Sequence, residues 1–359
     1  MKKKVLVCIE QSSVSYKYFI DLISGLSTYS GFEIEIFNLV CNKEVNDYLA
    51  TTGNKVVTLP SAKPYKKQVF RIAAIIRKSN PDIIHAHESI PAFYAALALR
   101  INFSDIKLIF HRHHSFYRDK TIHFMERVAF RRCNLAIAVS ATAQQQAIAE
   151  HPAYAKKIVY IYNGVTLKDT GMPLPIDMAP YAGRPKIILI AWLVGRKGHE
   201  TAIAAMQELV KKMPAAVLFF AGDGPDRKKL ELLVAENKLQ QHIVLLGEVK
   251  NIYALLQQTD ISILPSEAEA FNLSILETMA AKKLSMASDI PSINECITDG
   301  ETGVSIPVND AHTLAAKLEY YLSNNNERER IAANGYDAYR QRFTTEAMVK
   351  QVAAVYEKM

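Results

Sequence analysis

The chain has 359 residues, with 43 Lys+Arg against 36 Asp+Glu, 10 His and 49% apolar residues. At about 150 residues per domain this length predicts two domains, and the apolar content excludes wholesale disorder. The net charge of +7 divides into +10 over residues 1–165 (22 basic, 12 acidic) and −3 over 166–359 (21 basic, 24 acidic). That split excludes a uniform nucleic-acid coat and favours a one-sided anionic partner.

Taken in chain order, KVLVCI (4–9), FEIEIFNL (32–39), KVVTL (55–59), PDIIHAH (81–87), KLIFHRH (107–113), LAIAVS (135–140) and KIVYI (157–161) read as strands. Helical patterns cover 18–29, 68–79, 92–101 and 124–133 between them. Strands rich in Val, Ile and Leu that alternate with helices imply a parallel sheet covered on both faces. A Pro- and Gly-rich stretch, 166–185, breaks the alternation and reads as an interdomain linker. The βα pattern then restarts. Strands are expected at 186–193, 216–224, 242–247, 261–266, 284–288 and 303–308, and helices at 199–212, 226–237, 251–258 and 273–282. A helical stretch runs from about 311 to the end. The predicted fold class is α/β, with two tandem Rossmann-like domains, 1–165 and 186–340, whose sheets face across a cleft. In open sheets of this kind ligand binds beyond the strand C-terminal ends.

The four cysteines, Cys8, Cys41, Cys133 and Cys296, are scattered without a CxxC pair, which favours a reducing compartment and argues against a zinc knuckle. The apolar run after the N-terminal lysines, Val5 to Ile9, is too short for a signal peptide, and about 18 consecutive apolar residues occur nowhere. The expected location is cytoplasmic.

Chemistry-bearing residues cluster at the expected strand ends. AGDGP (221–225) places Gly222 where the backbone could approach a ligand, or where an ordinary βα turn sits. In PSEAEAFNLSILETMA (265–280), Glu269 and Glu277 flank a turn at Asn272 and a helix opening near Leu273. The helix N-terminus suits a phosphate or a sugar hydroxyl, and the two carboxylates suit neutral hydroxyls. They could equally be a solvated loop charge and an exposed helical one. In GRKGH (195–199), Arg196 and Lys197 can neutralise a diphosphate. Neither a Walker loop nor a GxGxxG with a downstream acid is present, which argues against a nicotinamide enzyme.

The segments AWLVGRKGHETAIAA, FFAGDGPDRKKLELL, LLGEV, DISILPSEAEAFNLSILETMAA and SDIPSINECITDGETGVSIPV resemble, in order and spacing, the nucleotide-binding half of group 1 glycosyltransferases. These are family four of the retaining enzymes with the two-Rossmann (GT-B) fold. DIIHAHES (82–89) and IYNGV (161–165) are similar to landmarks of that family's first domain. The resemblance implies a retaining transfer from a nucleotide diphosphate sugar to a glycan or lipid-linked acceptor, in bacterial surface polysaccharide or lipopolysaccharide assembly. It implies no metal and no other cofactor. Lys197 would neutralise the diphosphate and Glu277 would bind the ribose. Glu269 would hold the transferred sugar with the backbone around Phe271, Asn272 and Leu273, while Glu248 and Val249 would face the base. A C-terminal helix, about 341–359, would cross back to the first domain. The family's usual Gly-Arg-Leu is replaced by Ala191-Trp192-Leu193, so Arg196 is the candidate for the missing charge. A catalytically silent partner subunit and a nucleotide-sugar epimerase of the same fold are the alternatives.

In the first domain, His85 with His87 and His111 with His113 form two H-x-H pairs whose members share a strand face. Each pair could chelate a metal, but no carboxylate or Cys cluster joins them apart from Glu88, and His85 reads as a core histidine. By resemblance a histidine at the end of the second strand lies against the donor sugar. His113 is assigned that place, with His114 next and His87 on the acceptor side. Ser12 and Ser13 occupy the loop where the family often has a glycine-rich turn near the donor phosphates. The basic amphipathic segments 63–78 and 118–132 either turn an apolar stripe to the core or meet an anionic membrane surface, as a peripheral protein would.

Overall fold

In the computed structural model residues 2–10, 17–40, 43–59, 69–113 and 119–359 are described. The chain divides into two compact units, Met1–Gly164 with Thr344–Met359, and Val165–Phe343. Ser12, Ser13, His114 and the lysines at 63, 66 and 67 lie outside the described residues.

The first unit runs β1 (Lys3–Ile9), α1 (Lys17–Ser27), β2 (Phe32–Asn38), α2 (Lys43–Ala50), β3 (Lys55–Thr58), α3 (Val69–Ser79), β4 (Ile83–His87), α4 (Ser89–Ile101), β5 (Lys107–Arg112), α5 (Lys120–Arg132), β6 (Leu135–Ala138), α6 (Ala141–Glu150) and β7 (Ile158–Tyr160). Its seven strands lie in the order β3-β2-β1-β4-β5-β6-β7, all parallel. Alternation along β1 sends Val5, Val7 and Ile9 to one face and Leu6 and Cys8 to the other. Helices cover both faces, so every one of these side chains is buried. The apolar stripe of α3, Ile72, Ala73 and Ile76, belongs to this core, as do Ala129 and Phe130 of α5.

The second unit runs β8 (Lys186–Ile190), α7 (His199–Lys212), β9 (Val217–Ala221), α8 (Arg227–Glu236), β10 (Ile243–Gly247), α9 (Ile252–Gln257), β11 (Ile261–Leu264), α10 (Leu273–Ala280), β12 (Leu284–Ser288), α11 (Pro291–Asn294), β13 (Val304–Ile306), α12 (Ala311–Ser323) and α13 (Asn325–Arg342). Its parallel strands lie in the order β10-β9-β8-β11-β12-β13. The stretch 166–185, which its composition suggests is a linker, covers one face of this sheet. Leu167, Leu174, Ile176, Met178 and Tyr181 pack with Ile188 and Phe219, and Asn251 Nδ2 donates to Asp169 Oδ1 at 2.8 Å. Apolar side chains interspersed among the turn-forming residues seat the stretch on the sheet.

The C-terminal helical stretch from 311 comprises three helices. The last, α14 (Thr345–Lys358), is capped by the Thr344 hydroxyl, which accepts from Ala347 N, and joins the first unit. Met348, Val349, Val352, Ala353 and Tyr356 are buried there with α1 and β1. Gly25 on α1 permits this packing, because a Cβ at that position would lie 2.5 Å from Val349 Cγ2.

Candidate active site

In each sheet the strand order reverses once, between β1 and β4 in the first unit and between β8 and β11 in the second. A crevice opens outside the strand ends at such a reversal, because successive helices leave on opposite faces. The loops after β8 and β11 therefore meet in the second unit. Glu267 N donates to Arg196 O at 2.8 Å, joining them through backbone.

Within these loops Lys197 Nζ lies 2.6 Å from Glu269 Oε1, and the side chains are 14% and 7% exposed. The ammonium has three N–H donors, and the Glu269 bond uses one of them. A concentrated cation beside a buried carboxylate suits a ligand with both an anionic group and hydroxyls. Gly198, which follows, is left-handed with φ 74° and ψ 24°, and its missing Cβ would fall 1.9 Å from Pro265 O. Gly222 serves the neighbouring loop, since a Cβ there would lie 2.0 Å from Ala191 O. Its lack of a side chain thus lets two strand-end loops approach each other, which spacing alone did not distinguish from approach to a ligand.

Asn272 caps α10, its Oδ1 accepting from Ser274 N at 2.9 Å and Ile275 N at 3.3 Å. Leu273 opens that helix, and the half-buried Glu277 stands one turn along it. The Phe271 ring packs near Phe343, with centroids 6.0 Å apart. Trp192 is 61% exposed where the family's arginine is usual, and Arg196 is exposed on the same loop. Glu248 is exposed beyond β10, while Val249 packs against the apolar cluster of Ile188 and Phe219. His199, which opens α7, is buried with neither ring nitrogen partnered among the described residues, and burial with the nearby Lys197 charge lowers its pKa to about 4.

The first unit's reversal lies beside the ends of β4 and β5, where register pairs His87 with His111. His87 Nδ1 lies 2.8 Å from His113 Nε2, and His85 Nε2 lies 3.2 Å from His111 Nδ1. His85 Nδ1 reaches Tyr356 Oη of α14 at 2.6 Å. Phe19 packs edge-on against the His87 ring with centroids 4.9 Å apart. Burial, reinforced by His113, holds the His85 pKa down to about 3. His87 and His111 are lowered well below the usual value for the same first reason. The sequence singled out both H-x-H pairs separately. Their union into one cluster, and the tyrosine from the far end of the chain, were not visible from spacing.

Arg112 points the other way from His111 and His113, as strand alternation requires. Its Nε lies 2.9 Å from Glu126 Oε1 and its Nη2 2.6 Å from Glu150 Oε2, while Ser89 Oγ and His151 Nε2 also bond Glu126. This buried network ties α4, α5 and α6 to the strand end that carries the histidines. The sequence reading did not single it out, because its members are ordinary charged residues far apart in the chain.

The model described as "Glycosyltransferase Family 4" matches residues 17–169, and the one described as "Glycosyl transferases group 1" matches residues 177–338. An alpha-D-kanosaminyltransferase of Streptomyces kanamyceticus is 28% identical over 178 residues, covering 49% of this chain and 46% of that protein, so the match spans about half of that relative's length. A phosphatidyl-myo-inositol mannosyltransferase of Mycobacterium tuberculosis is 28% identical over 286 residues, covering 77% of this chain and 73% of that protein. The crystal structure of Anabaena HepE in complex with UDP and glucose superposes with a TM-score of 0.86 at 18% identity, covering 99% of this chain and 100% of that one. Two family models that adjoin without overlap, and the same pair of parallel sheets in HepE, establish that the chain belongs to the group 1 glycosyltransferases and has the GT-B fold.

Proposed function

We propose that the chain is a retaining glycosyltransferase that moves a sugar from a nucleotide diphosphate donor to a glycan or lipid-linked acceptor. The Lys197–Glu269 pair at the β8–β11 reversal carries this reading. Negative charge develops on the leaving diphosphate, and a fixed ammonium beside it stabilises the transition state more than the ground state. Lys197, with Arg196 on the same loop, takes the role that a divalent ion has in metal-dependent transferases, so the diphosphate step needs no metal. Glu269 and Glu277 accept hydrogen bonds from sugar and ribose hydroxyls. His113, bonded to His87, is assigned to the transferred sugar. The leaving phosphate serves as base for the acceptor hydroxyl on the same face of the sugar, which retains the anomeric configuration. HepE binds UDP and glucose, so uracil nucleotides are the first donors to try here.

A nucleotide diphosphate at about 100 times its Kd adds about 2.7 kcal/mol. For a unit of this size that raises Tm by roughly 5–10 °C. If none of UDP, GDP, ADP or their sugars raises Tm, the donor reading is wrong. With the donor that does, an inverted anomer in the product overturns the retaining assignment.

We further propose an acceptor borne on an anionic membrane of the cytoplasm, in surface polysaccharide or lipopolysaccharide assembly. The carrying observation is the pair Phe70 (72% exposed) and Phe124 (60% exposed), which project from α3 and α5 near the exposed Arg71, Arg127 and Arg131. Apolar rings with basic neighbours fit a lipid surface, although the buried stripes of both helices are already used by the core. The chain is expected to float with vesicles rich in anionic lipid and to be released by salt. Equal flotation with neutral vesicles, or none with either, counts against it. No helix among the described residues is long and apolar enough to cross a membrane.

A further inference from the structure

Resting on the donor reading above, we propose that Trp192 is the platform on which the nucleobase of the nucleoside diphosphate stacks. It is the only tryptophan of the sequence, and it is 61% exposed, although tryptophans are highly buried on average. The exposure has a local cause. Ala191 and Leu193 pack into the core of the second unit, so the residue between them turns outward. The backbone on either side is pinned, Ala191 N donating to Ala221 O at 3.1 Å and Leu193 N to Asp223 O at 2.9 Å. A large π face is thus held toward solvent on fixed backbone, at the root of the loop that carries Lys197.

The order of the strand ends gives the ring its partner. A nucleotide sugar runs from sugar through diphosphate and ribose to base. The Lys197–Glu269 pair lies on the β11 side of β8, where Glu267 N meets Arg196 O. With the sugar on Glu269 and the diphosphate on Lys197, ribose and base extend to the other side, toward β9 and β10. Trp192 is anchored on that side, through Ala221 and Asp223. Beyond it Gly222 N donates to Gly247 O at 2.8 Å, so β9 and β10 are joined at their ends by two residues without side chains. A Cβ at Gly247 would meet nothing nearer than Arg227 Nη1 at 3.6 Å. Neighbouring strands lie about 4.8 Å apart, so this bare strip extends roughly 10 Å from β8 to β10. A planar base has room there, with the indole at its edge.

The chemistry of the side chain points the same way. An indole has one N–H donor and no charge, so neutralisation of the diphosphate stays with Lys197 and Arg196. What the ring adds is stacking, which every base accepts because every base has a π face. Trp192 therefore favours nucleotides over base-free phosphates, while leaving the choice among bases to other groups.

Because no other tryptophan is present, indole emission excited beyond the tyrosine absorption reports on this position alone. The full chain is titrated with UDP, GDP, ADP and inorganic pyrophosphate, and calorimetry measures each affinity independently. The expected result is saturable quenching by the nucleotides that bind, at the calorimetric Kd, and none by pyrophosphate. Trp192→Ala is expected to weaken nucleotide binding by about 5- to 150-fold, the usual effect of losing one stacking ring, and to leave pyrophosphate binding unchanged. Trp192→Phe keeps a π face and retains most of the affinity. Nucleotide binding with unaltered indole emission overturns the proposal and leaves the donor reading standing, as does a Trp192→Ala variant that binds nucleotide as tightly as the unaltered chain. Equal weakening for nucleotide and pyrophosphate places the ring on the diphosphate and overturns it too. Binding of none of the nucleotides overturns the donor reading and this proposal together. Should Trp192→Ala fail to fold by circular dichroism, quenching of the unaltered chain decides.

Discussion

Lys197→Ala is expected to lower transfer by about 10²–10³-fold, the usual effect of removing one donor from a transition-state anion site. It is also expected to abolish the rise in Tm with nucleotide diphosphates. Two effects are superposed, because Lys197 is bonded to a Glu269 that is only 7% exposed. Without the ammonium that carboxylate is buried and uncompensated, which costs about 3 kcal/mol of stability in the free protein. The double variant Lys197→Ala/Glu269→Ala separates them. It regains most of the lost stability, since no charge is left stranded, but regains neither nucleotide binding nor transfer. Calorimetry without ligand reads the first quantity, and thermal shift with nucleotide reads the second. Nucleotide binding retained by Lys197→Ala would remove the residue from the donor site. Lys197→Arg restores charge but not geometry, because a planar fork replaces a compact ammonium, so rescue is partial.

Gly198→Ala is expected to destabilise the second unit by about 2–5 kcal/mol. The left-handed backbone contributes about 1–2 kcal/mol of this, and the forced contact adds about 1–3 kcal/mol. The contact term is unavoidable because the opposing atom, Pro265 O at 1.9 Å, is backbone. Relief requires the loop that carries Lys197 to move away from the loop that carries Glu269. Tm then falls by roughly 4–20 °C at about 2–4 °C per kcal/mol for a unit of this size. Gly183→Ala is the control. Gly183 has φ 73° with nothing within 4 Å of the added Cβ, so only the backbone cost remains. Equal losses in both variants would show that loop contact contributes nothing.

Much of this architecture is legible in the residues. The helix expected at 199–212 and the strand at 284–288 have those bounds in the structure, because each begins and ends with a clear change of period. Other elements gave weaker signals. Helix α6 is Ala-rich and nearly even around its circumference, and its main local mark is the Ser140 cap bonded to Ala143 N. Helix α4 opens at Ser89, three residues before the expected 92, after Glu88 adopts a left-handed φ of 75°. From 311 onward no Pro interrupts the pattern, and the helix breaks at Asn324, inside the polar run SNNNERER (323–330), and again at Phe343. The second break had a readable mark in Thr344, a cap residue just before α14.

At the site, sequence order identified Lys197 and Glu269 individually, and the fold made them a pair across 72 residues. Trp192 is as conspicuous in the structure as in the chain, standing exposed among the strand-end loops. The histidine cluster was the hardest to foresee. Period-two spacing shows that His85 and His87 share a face, but cross-strand register is not written in either segment alone. The hydroxyl of Tyr356, 271 positions from His85, depends on where α14 returns.

That return has a consequence for how the protein is made. The second unit is continuous from Val165 to Phe343, whereas the first needs Thr344–Met359 to close over its core. A ribosome adding about 5–20 residues per second takes roughly 10–35 s to synthesise the intervening unit. Throughout that time the seats of Val349, Val352 and Tyr356 beside α1 and β1 stay uncovered. The nascent first unit therefore presents an oily surface to the cell while its neighbour matures, and the segment that seals it is made only after the second unit.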